Sequence, residues 1–227
     1  MCYHPVIRGT LWDLDGVIAD TEAYHIQALQ AAFNDFNLTI PKADLFPFFG
    51  TNTEMIFVSI VKEKVNTENK KLFIKKHSDY FCQLVKKNVK PIPGIENLLV
   101  FFQHLKMKQA IASSSTNAII DIILDRLGFR PYFDQIVSGA ELPAKPDPTV
   151  FLKAAETLSL PPKSCIVIED SPMGIAAAKS AAMKCIAVTT SRPPSELQQA
   201  DLIIEDMKNI DIKAVLAMMH HKEDSNN

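Results

Sequence analysis

Short runs of apolar residues recur along the chain, and longer stretches with helically spaced apolar residues separate them. A short apolar run bounded by polar or turn residues is typical of a buried strand. Strands that alternate with helices are typical of a parallel sheet covered on both faces. The pattern therefore predicts an α/β fold with a Rossmann-like parallel sheet core. The predicted strands are Gly9–Trp12, Gln109–Ser113, Gln135–Ser138, Cys165–Ile168, Cys185–Val188 and Asp201–Ile204.

One long stretch between the first two predicted strands contains no strand-like run. Its apolar residues recur at helical spacing, as at Ile26, Leu29, Phe33 and Phe36,. A proline-rich turn at residues 89–94 closes the stretch,. We interpret it as an inserted helical cap domain, joined to the core by two hinges. The predicted division is a core of residues 1–17 and 91–227 and a cap of residues 18–90.

Two aspartates follow the first predicted strand, in the order Trp12-Asp13-Leu14-Asp15-Gly16. Ligands of open α/β sheets bind at the carboxyl ends of the strands, and side chains two positions apart point the same way. Two carboxylates at such a short distance repel each other unless a cation or a proton lies between them. The pattern indicates a divalent metal ion or a protonated carboxyl group, and sites of phosphoryl transfer use both.

Three further polar motifs follow in a fixed order along the chain. They are Ile111–Asn117 with its run of serines, Ala144–Pro148 around Lys145, and Ile166–Gly174 with Glu169 and Asp170. Together with the first motif, they resemble the haloacid dehalogenase superfamily of phosphotransferases. The closest resemblance is to its phosphatase and β-phosphoglucomutase-like branch, which carries a helical cap. The resemblance extends over nearly the whole chain.

The resemblance implies a role for each catalytic candidate. Asp13 is the expected nucleophile, which would form an aspartyl-phosphate. Asp15 is the expected general acid and base, with a proton held near neutral pH because another carboxylate is close. Ser113 would donate a hydrogen bond to a phosphoryl oxygen, and Lys145 would neutralise charge on Asp13 and on the transferring phosphoryl group. Asn117 is a further expected polar contact to the substrate.

The three consecutive serines leave the register of the second motif open. Ser113 directly follows an apolar pair, which suits the end of a strand. Ser115 or Thr116 could cap the helix that follows. The N-terminus of that helix would add a positive dipole near the phosphate.

Magnesium is the expected cofactor, because it prefers hard oxygen ligands and usually retains water. The expected ligands are Asp13, Asp15 through its backbone carbonyl, and Asp170. Glu169 is either a further ligand or a partner behind the ligands, since adjacent strand residues point to opposite sides.

The cap is expected to select the substrate. Thr21 and His25 resemble the cap entry of the mutases, where a histidine hydrogen-bonds the general acid and base, and Lys76 resembles a lysine that contacts substrate. We predict all three as substrate-binding residues, with a solvated helix face as the alternative for Lys76. Thr53 stands where the mutases carry an arginine for the distal phosphate. No arginine occurs in the cap, so a bidentate grip on a second phosphate is missing.

Composition mainly excludes other classes of protein. The chain has 227 residues, is 47% hydrophobic and carries a net charge of −2, so no basic surface for nucleic acid is indicated,. No apolar stretch approaches the ~20 residues of a membrane span. The cysteines lack metal-like spacing and fit reduced thiols. We expect a cytoplasmic monomer that binds a small phosphorylated molecule, with neither nucleic acid nor a membrane as partner.

The leading hypothesis is a magnesium-dependent phosphatase that hydrolyses a small phosphorylated metabolite, a sugar phosphate, through an aspartyl-phosphate. A sugar phosphomutase of the β-phosphoglucomutase type is the alternative, favoured by His25 and Lys76. A third hypothesis is a catalytically silent binding or regulatory module, because a fold alone does not determine a function.

Overall fold

The computed structural model describes residues 7–45, 48, 51–61 and 66–220. The strands in this part of the chain are β1 (Gly9–Trp12), β2 (Lys108–Ser113), β3 (Gln135–Ser138), β4 (Cys165–Glu169), β5 (Lys184–Val188) and β6 (Leu202–Ile204). They pair in parallel, in the order β3-β2-β1-β4-β5-β6. The predicted α/β fold with a Rossmann-like parallel sheet is confirmed. The predicted core limits at residues 1 and 227 lie outside the described residues.

Helices separate the strands and cover the sheet. They are α1 (Glu22–Asn34), α2 (Lys42–Leu45), α3 (Thr53–Val61), α4 (Thr67–Lys87), α5 (Ile95–His104), α6 (Asn117–Leu127), α7 (Thr149–Thr157), α8 (Pro172–Ser180) and α9 (Ile212–His220). Across the described ranges, none of these helices combines the length and the apolar character that crossing a membrane requires.

Both faces of the sheet are buried, which explains why its strands are apolar at nearly every position. Leu11 and Val167 belong to the apolar cluster on one face, with residues of α7 and α8. Trp12 and Ile168 belong to the cluster on the opposite face, with residues of α5, α6 and α9. Neighbouring residues of a strand therefore pack on opposite layers, as the two-residue period of a strand requires.

Helices α1 to α4 follow β1 and contain a small apolar core of their own. Phe33 and Phe57 each lie with their ring centroid 4.5 Å from that of Phe73. The connections to and from these helices run side by side: the amide of Ile92 donates to the carbonyl of Ile18 at 2.9 Å. Two adjacent segments of chain thus connect these helices to the sheet. The predicted cap limits at residues 18 and 90 stay a prediction.

The strand order determines where the polar motifs meet. β1 lies between β2 and β4, and all three strands run in the same direction. Residues that follow β1, end β2 or follow β4 therefore emerge at the same edge of the sheet, beneath the inserted helices.

Candidate active site

The carboxyl ends of β1, β2 and β4 bring the predicted catalytic residues together. Asp13 follows β1, Ser113 ends β2, and Asp170 follows β4. These residues and Asp15 line a pocket whose opposite wall is formed by residues of α1, α3 and α4. The pocket lies at the edge of the sheet where ligands of open α/β folds bind.

Lys145 is buried between two carboxylates. Its Nζ lies 2.6 Å from Oδ1 of Asp13 and 2.6 Å from Oε1 of Glu169. Burial favours the neutral amine, but the two carboxylates outweigh burial and raise the pKa of Lys145,. The ammonium also lies 4.8 Å from the ring centroid of Phe151. The structure thus places the predicted cation, charged at neutral pH, in contact with the predicted nucleophile.

Asp13 has a carboxyl group that binds its proton unusually tightly. Burial is the largest cause and raises its pKa to about 7, against the opposing attraction of Lys145. The charges of Glu169 and Asp15 raise the pKa further. A second positive charge near Asp13 would therefore favour the ionised form that can act as a nucleophile.

Asp170 also has a raised pKa. Burial raises its pKa well above the usual value, and the charges of Glu169 and Asp13 add to the effect. The carboxylate packs against the turn that follows β1, where Gly16 has a φ of +82°. A Cβ on Gly16 would lie only 2.0 Å from Oδ2 of Asp170, so glycine is required both by the backbone conformation and by the close approach.

The donor set at this edge fits a magnesium ion. Asp13 and Asp170 are two mutually repelling carboxyl groups with raised pKa values, and a divalent cation removes that repulsion. No cluster of three His, Cys, Asp or Glu side chains forms a complete metal cage among the residues that the structure describes. Magnesium does not need one, because it usually binds one or two carboxylates together with water and phosphate oxygens.

Glu169 lies behind the site, which favours the second of the two roles predicted for it, a partner behind the ligands, over direct metal binding. Its Oε1 contacts Lys145. Its Oε2 accepts hydrogen bonds from the backbone amides of Asp170 and Ser171 at 2.8 and 2.9 Å and from the Ser171 hydroxyl at 2.9 Å. Gly174 leaves the space that this carboxylate fills, since a Cβ there would lie 1.7 Å from Oε1. With both oxygens engaged and 1% of its side chain exposed, Glu169 positions Lys145.

Three side chains hold the carboxylate of Asp15. The Thr21 hydroxyl donates to Oδ1 at 2.6 Å, and the Ser115 hydroxyl donates to Oδ2 at 2.9 Å. Nε2 of His25 lies 3.0 Å from Oδ1. His25 is itself held by stacking on Phe81, with 4.0 Å between ring centroids.

These partners change the expected protonation of Asp15. Burial raises its pKa, but the charge and hydrogen bond of His25, with the hydrogen bonds of Thr21 and Ser115, lower the pKa below its usual value. These partners therefore favour the ionised form of Asp15, against the expectation that a neighbouring carboxylate keeps it protonated near neutral pH, and its role as general acid and base stays a prediction. The raised pKa belongs to Asp13 instead.

Ser113 and Ser115 both belong to the site. Ser113 is buried, lines the pocket, and accepts a hydrogen bond from the backbone amide of Ser115 at 3.0 Å. Ser115 was expected only as a helix cap, and its contact with Asp15 was missed. The available signal was the spacing of two residues, which placed both serines on the same side of the strand end.

Asn117 does not line the pocket, which corrects its predicted substrate contact. It is exposed in the first turn of α6, whereas Ser114, Ser115 and Thr116 line the pocket. Thr116 occupies the N-cap position, and its side chain makes no capping hydrogen bond.

Thr21 and Lys76 also depart from their predicted substrate contacts. Thr21 is fully buried, lies outside the pocket lining and uses its hydroxyl on Asp15. Nζ of Lys76 lies 2.7 Å from Oδ2 of Asp35, on the outer surface of the inserted helices. Successive residues of a helix point about 100° apart, so His77 faces the pocket and Lys76 does not.

The wall formed by the inserted helices contains a second histidine. The Thr53 hydroxyl lies 3.1 Å from Nδ1 of His77, and the ring of His77 stacks on that of His25 with 5.6 Å between centroids. Burial is the main cause that lowers the pKa of His77 to about 3, and the charge of His25 contributes. Thr53 stands at the position where the mutases carry a phosphate-binding arginine, and the neutral His77 lies beside it.

We expect His25→Ala to raise the pKa of Asp15, because His25 contributes the largest influence that lowers it. A carbon-13 NMR titration of labelled aspartate carboxyl groups in the metal-free protein measures this shift. Loss of a hydrogen bond to a charged group, about 1.5–3 kcal/mol, should reduce turnover roughly 10- to 100-fold. His104→Ala, which changes an exposed histidine of α5, is the control. An unchanged Asp15 titration in His25→Ala would contradict the assignment.

Comparisons with known proteins agree with this geometry. The sequence model of the family described as haloacid dehalogenase-like hydrolase matches residues 10–188. A β-phosphoglucomutase from Bacillus subtilis (strain 168) is 32% identical over 217 residues, covering 91% of this chain and 93% of that protein. A fructose-1-phosphate phosphatase from Escherichia coli (strain K12) is 28% identical over 181 residues, covering 79% and 95%.

A solved structure shows the same architecture. The crystal structure of β-phosphoglucomutase from Clostridium difficile superposes with a TM-score of 0.84 at 27% identity, covering 94% of this chain and 97% of that one. The similarity therefore includes the inserted helices as well as the sheet.

Proposed function

The chain belongs to the haloacid dehalogenase-like hydrolase family, in its phosphatase and phosphomutase branch, and on that basis we propose that it is a magnesium-dependent phosphatase. Its substrate is a small phosphorylated metabolite of the sugar phosphate class. The reaction proceeds through an aspartyl-phosphate on Asp13.

One observation carries this proposal. Asp13 stands at the floor of the pocket with the ammonium of Lys145 at 2.6 Å on one side, and Asp15 lines the same pocket. A carboxylate nucleophile, a cation that favours its ionised form and a second carboxyl for proton transfer are the groups that a two-step phosphate displacement needs.

The residues of the chain perform the reaction in two steps. In the first, an oxygen of Asp13 bonds to phosphorus, the ester bond breaks, and the leaving oxygen takes a proton from Asp15. Asp15 takes up that proton beside the bound phosphate, because a nearby negative charge raises the pKa of a carboxyl group. In the second, Asp15 removes a proton from water, the water oxygen bonds to phosphorus, and Asp13 is released as a carboxylate. The Ser113 hydroxyl donates to a phosphoryl oxygen, and Lys145 stabilises the negative charge throughout.

Asp13, Asp170 and the backbone carbonyl of Asp15 would hold the magnesium ion. When bound, it supplies positive charge beside the phosphoryl oxygens and neutralises the repulsion between the two aspartates. Lys145 and Glu169 keep Asp13 in place with or without it.

Removal of divalent metal should stop turnover, and added magnesium should restore it. Magnesium should also raise the melting temperature of the wild-type protein, because it binds the folded chain and relieves the repulsion at Asp13 and Asp170. Differential scanning calorimetry measures this shift with and without chelator. Asp170→Asn should lose most of the shift, whereas the exposed Asp44→Asn should keep it. A magnesium-induced shift that survives in Asp170→Asn would contradict the ligand assignment.

The phosphomutase is the second candidate, because a relative of 32% identity is a β-phosphoglucomutase. Both activities share the aspartyl-phosphate and differ in whether water or a sugar hydroxyl accepts the phosphoryl group. The neutral His77 and Thr53 at the cap wall favour water as acceptor, since a mutase must also bind the phosphate at the other end of the sugar.

The deciding experiment measures phosphate release, with magnesium, across a panel of phosphorylated sugars and small metabolites. Glucose 6-phosphate formation from β-glucose 1-phosphate, primed with glucose 1,6-bisphosphate, is followed in parallel. We expect release of inorganic phosphate from one or a few sugar phosphates. Formation of glucose 6-phosphate without phosphate release would establish the mutase instead. Absence of both reactions over the whole panel would favour the catalytically silent module.

A further inference from the structure

The pocket is unevenly charged between its sheet side and its cap side. Lys145 lies beneath Asp13 at the sheet side. Among the described residues that line the pocket, none is lysine or arginine, while Glu22 and Glu54 are present in the wall of the inserted helices. A phosphate at Asp13 therefore meets positive charge. On the cap side Glu54 pairs with Lys70 at 2.6 Å and Glu22 with Lys42 at 3.7 Å, so a second anionic group there meets ion-paired glutamates and not a cation of the pocket lining.

Two buried side-chain atoms lack a hydrogen-bond partner in the described part of the chain, and both belong to residues of this pocket. They are Nε2 of His77 and Oγ1 of Thr116. His77 is 3% exposed and sits on α4, while Thr116 sits on the opposite wall at the start of α6. Buried polar atoms are normally paired, so two unpaired ones on residues that line the same pocket indicate where polar groups of a ligand could bind.

The chemistry of His77 narrows the kind of ligand group. Its Nδ1 is already engaged with the hydroxyl of Thr53 at 3.1 Å. Burial and the charge of His25 keep the ring neutral by lowering its pKa to about 3. A neutral imidazole nitrogen exchanges a single hydrogen bond, and a hydroxyl can serve as its donor or its acceptor. It offers no charge that would offset the desolvation of a carboxylate or a phosphate.

The remaining wall is apolar. Leu29, Ile56 and Ile74 line it on the side of the inserted helices, and Ile119 lines it on the side of α6. The carbon–hydrogen faces of a sugar or polyol pack on such surfaces while its hydroxyl groups turn to the polar atoms. Ligand sites commonly combine a mostly apolar lining with a few placed polar groups.

We infer that the cap side of the pocket recognises hydroxyl groups of an uncharged moiety, so that the preferred substrate is a phosphate monoester of a neutral sugar or polyol. His77 is the specificity-determining residue. The inference rests on the proposed phosphatase function for the position of the phosphate at Asp13. It adds that a second phosphate or a carboxylate on the same compound is selected against.

Matched pairs of compounds test the inference. Fructose 1-phosphate is compared with fructose 1,6-bisphosphate, and glycerol 3-phosphate with 3-phosphoglycerate, so that in each pair one hydroxyl group is replaced by an anionic group. Phosphate release measures kcat/KM in the wild-type protein, and calorimetric titration of Asp13→Asn measures binding where turnover is absent. In each pair, we expect the compound with a single anionic group to be preferred about tenfold or more in both measurements.

Variants at position 77 test the residue. His77→Phe keeps a ring for stacking on His25 and removes the nitrogen atoms, so kcat/KM for fructose 1-phosphate should fall about tenfold, mainly through KM. Hydrolysis of p-nitrophenyl phosphate, which has no hydroxyl groups to recognise, should fall by a clearly smaller factor than hydrolysis of fructose 1-phosphate. His77→Gln, whose amide can reach the place of Nε2, should recover part of the loss. Lys75→Ala, an exposed residue on the same helix, is the control.

The outcomes separate the inference from the proposed function. Equal kcat/KM for the two compounds of each pair, with p-nitrophenyl phosphate hydrolysed, would overturn the inference and leave the phosphatase proposal intact. An equal loss on every compound in a folded His77→Phe variant would also overturn it, because the residue would then be structural. Preferential binding of neutral monoesters without any hydrolysis would support the inference and overturn the phosphatase.

Discussion

Asp13→Asn should abolish phosphate release, by a factor on the order of 10⁴ or more, as expected when an enzyme loses its nucleophile. The amide cannot form the aspartyl-phosphate, although it fits the same space. Steady-state phosphate release measures the loss, and mass spectrometry of acid-quenched wild-type protein should detect the phosphorylated chain that the variant lacks. Asp44→Asn, which changes an exposed aspartate of α2, is the matched control. Retained turnover in Asp13→Asn would refute the covalent mechanism.

The same variant should stabilise the metal-free protein at alkaline pH. Asp13 has a pKa of about 7 in the folded chain, against an ordinary value of 3.8. Between these values the folded chain holds a proton that the unfolded chain has released, so the free energy of unfolding falls as the pH rises through this window. Asparagine does not ionise and escapes this loss. We expect Asp13→Asn to melt several degrees above the wild type at about pH 8, with a smaller difference at about pH 5.

Magnesium should reverse that order, because it stabilises the ionised wild-type site. Thermal melts at both pH values, with chelator and with magnesium, separate the two effects. A variant that is less stable than the metal-free wild type at about pH 8 would contradict the raised pKa of Asp13.

Lys145→Ala should impair both stability and turnover. Lys145 is 1% exposed and is shared by Asp13 and Glu169 at 2.6 Å each, so its removal leaves two buried carboxylates without a cation. Breaking a buried ion pair from one side typically costs about 3–5 kcal/mol. We expect a loss of this order in denaturant-induced unfolding, measured in the metal-free protein. Turnover should fall about 10³-fold or more, because the cation also stabilises the transferring phosphoryl group.

Two matched variants separate charge from packing. Lys145→Met keeps an apolar stem over Phe151 and loses only the ammonium, so it should lose as much turnover as Lys145→Ala. Lys179→Ala removes a lysine that pairs with Asp201 at the surface, 2.8 Å away, and should cost at most about 1 kcal/mol.

A double-mutant cycle tests whether Glu169 acts through Lys145. Glu169→Gln alone should reduce turnover by weakening the hold on Lys145. Combined with Lys145→Ala, it should restore part of the stability, because one buried negative charge is then removed. Strict additivity of the two changes in unfolding free energy would contradict the coupling.

The positions at the strand ends were accessible from the sequence alone. Apolar runs identified the strands, and the two-residue period of a strand placed Asp13, Ser113 and Asp170 at the edge of the sheet where β1, β2 and β4 end. These rules are local and depend only on the order of residues along one strand. The absence of arginine from residues 18–90 is likewise a property of the amino-acid sequence itself.

The partners of these residues were decided by the tertiary structure. Glu169 was a candidate ligand until the fold engaged both its oxygens, and the pKa of Asp15 depends on His25, Thr21 and Ser115, which surround its carboxylate. Ser115 is 100 positions from Asp15, a distance over which no local pattern reports a contact.

The cap shows the same limit most clearly. Lys76 and His77 are neighbours in sequence, and a single helical step of about 100° turns one toward Asp35 and the other into the pocket,. The sequence by itself determined the sheet, the order of the motifs and the chemistry of their residue types. The spacing of apolar residues and the chemistry of a side chain depend only on neighbouring positions in the chain. Only the tertiary structure decided which side chains pair with each other and which line the pocket, because pKa values and hydrogen bonds depend on burial and on groups brought from distant segments.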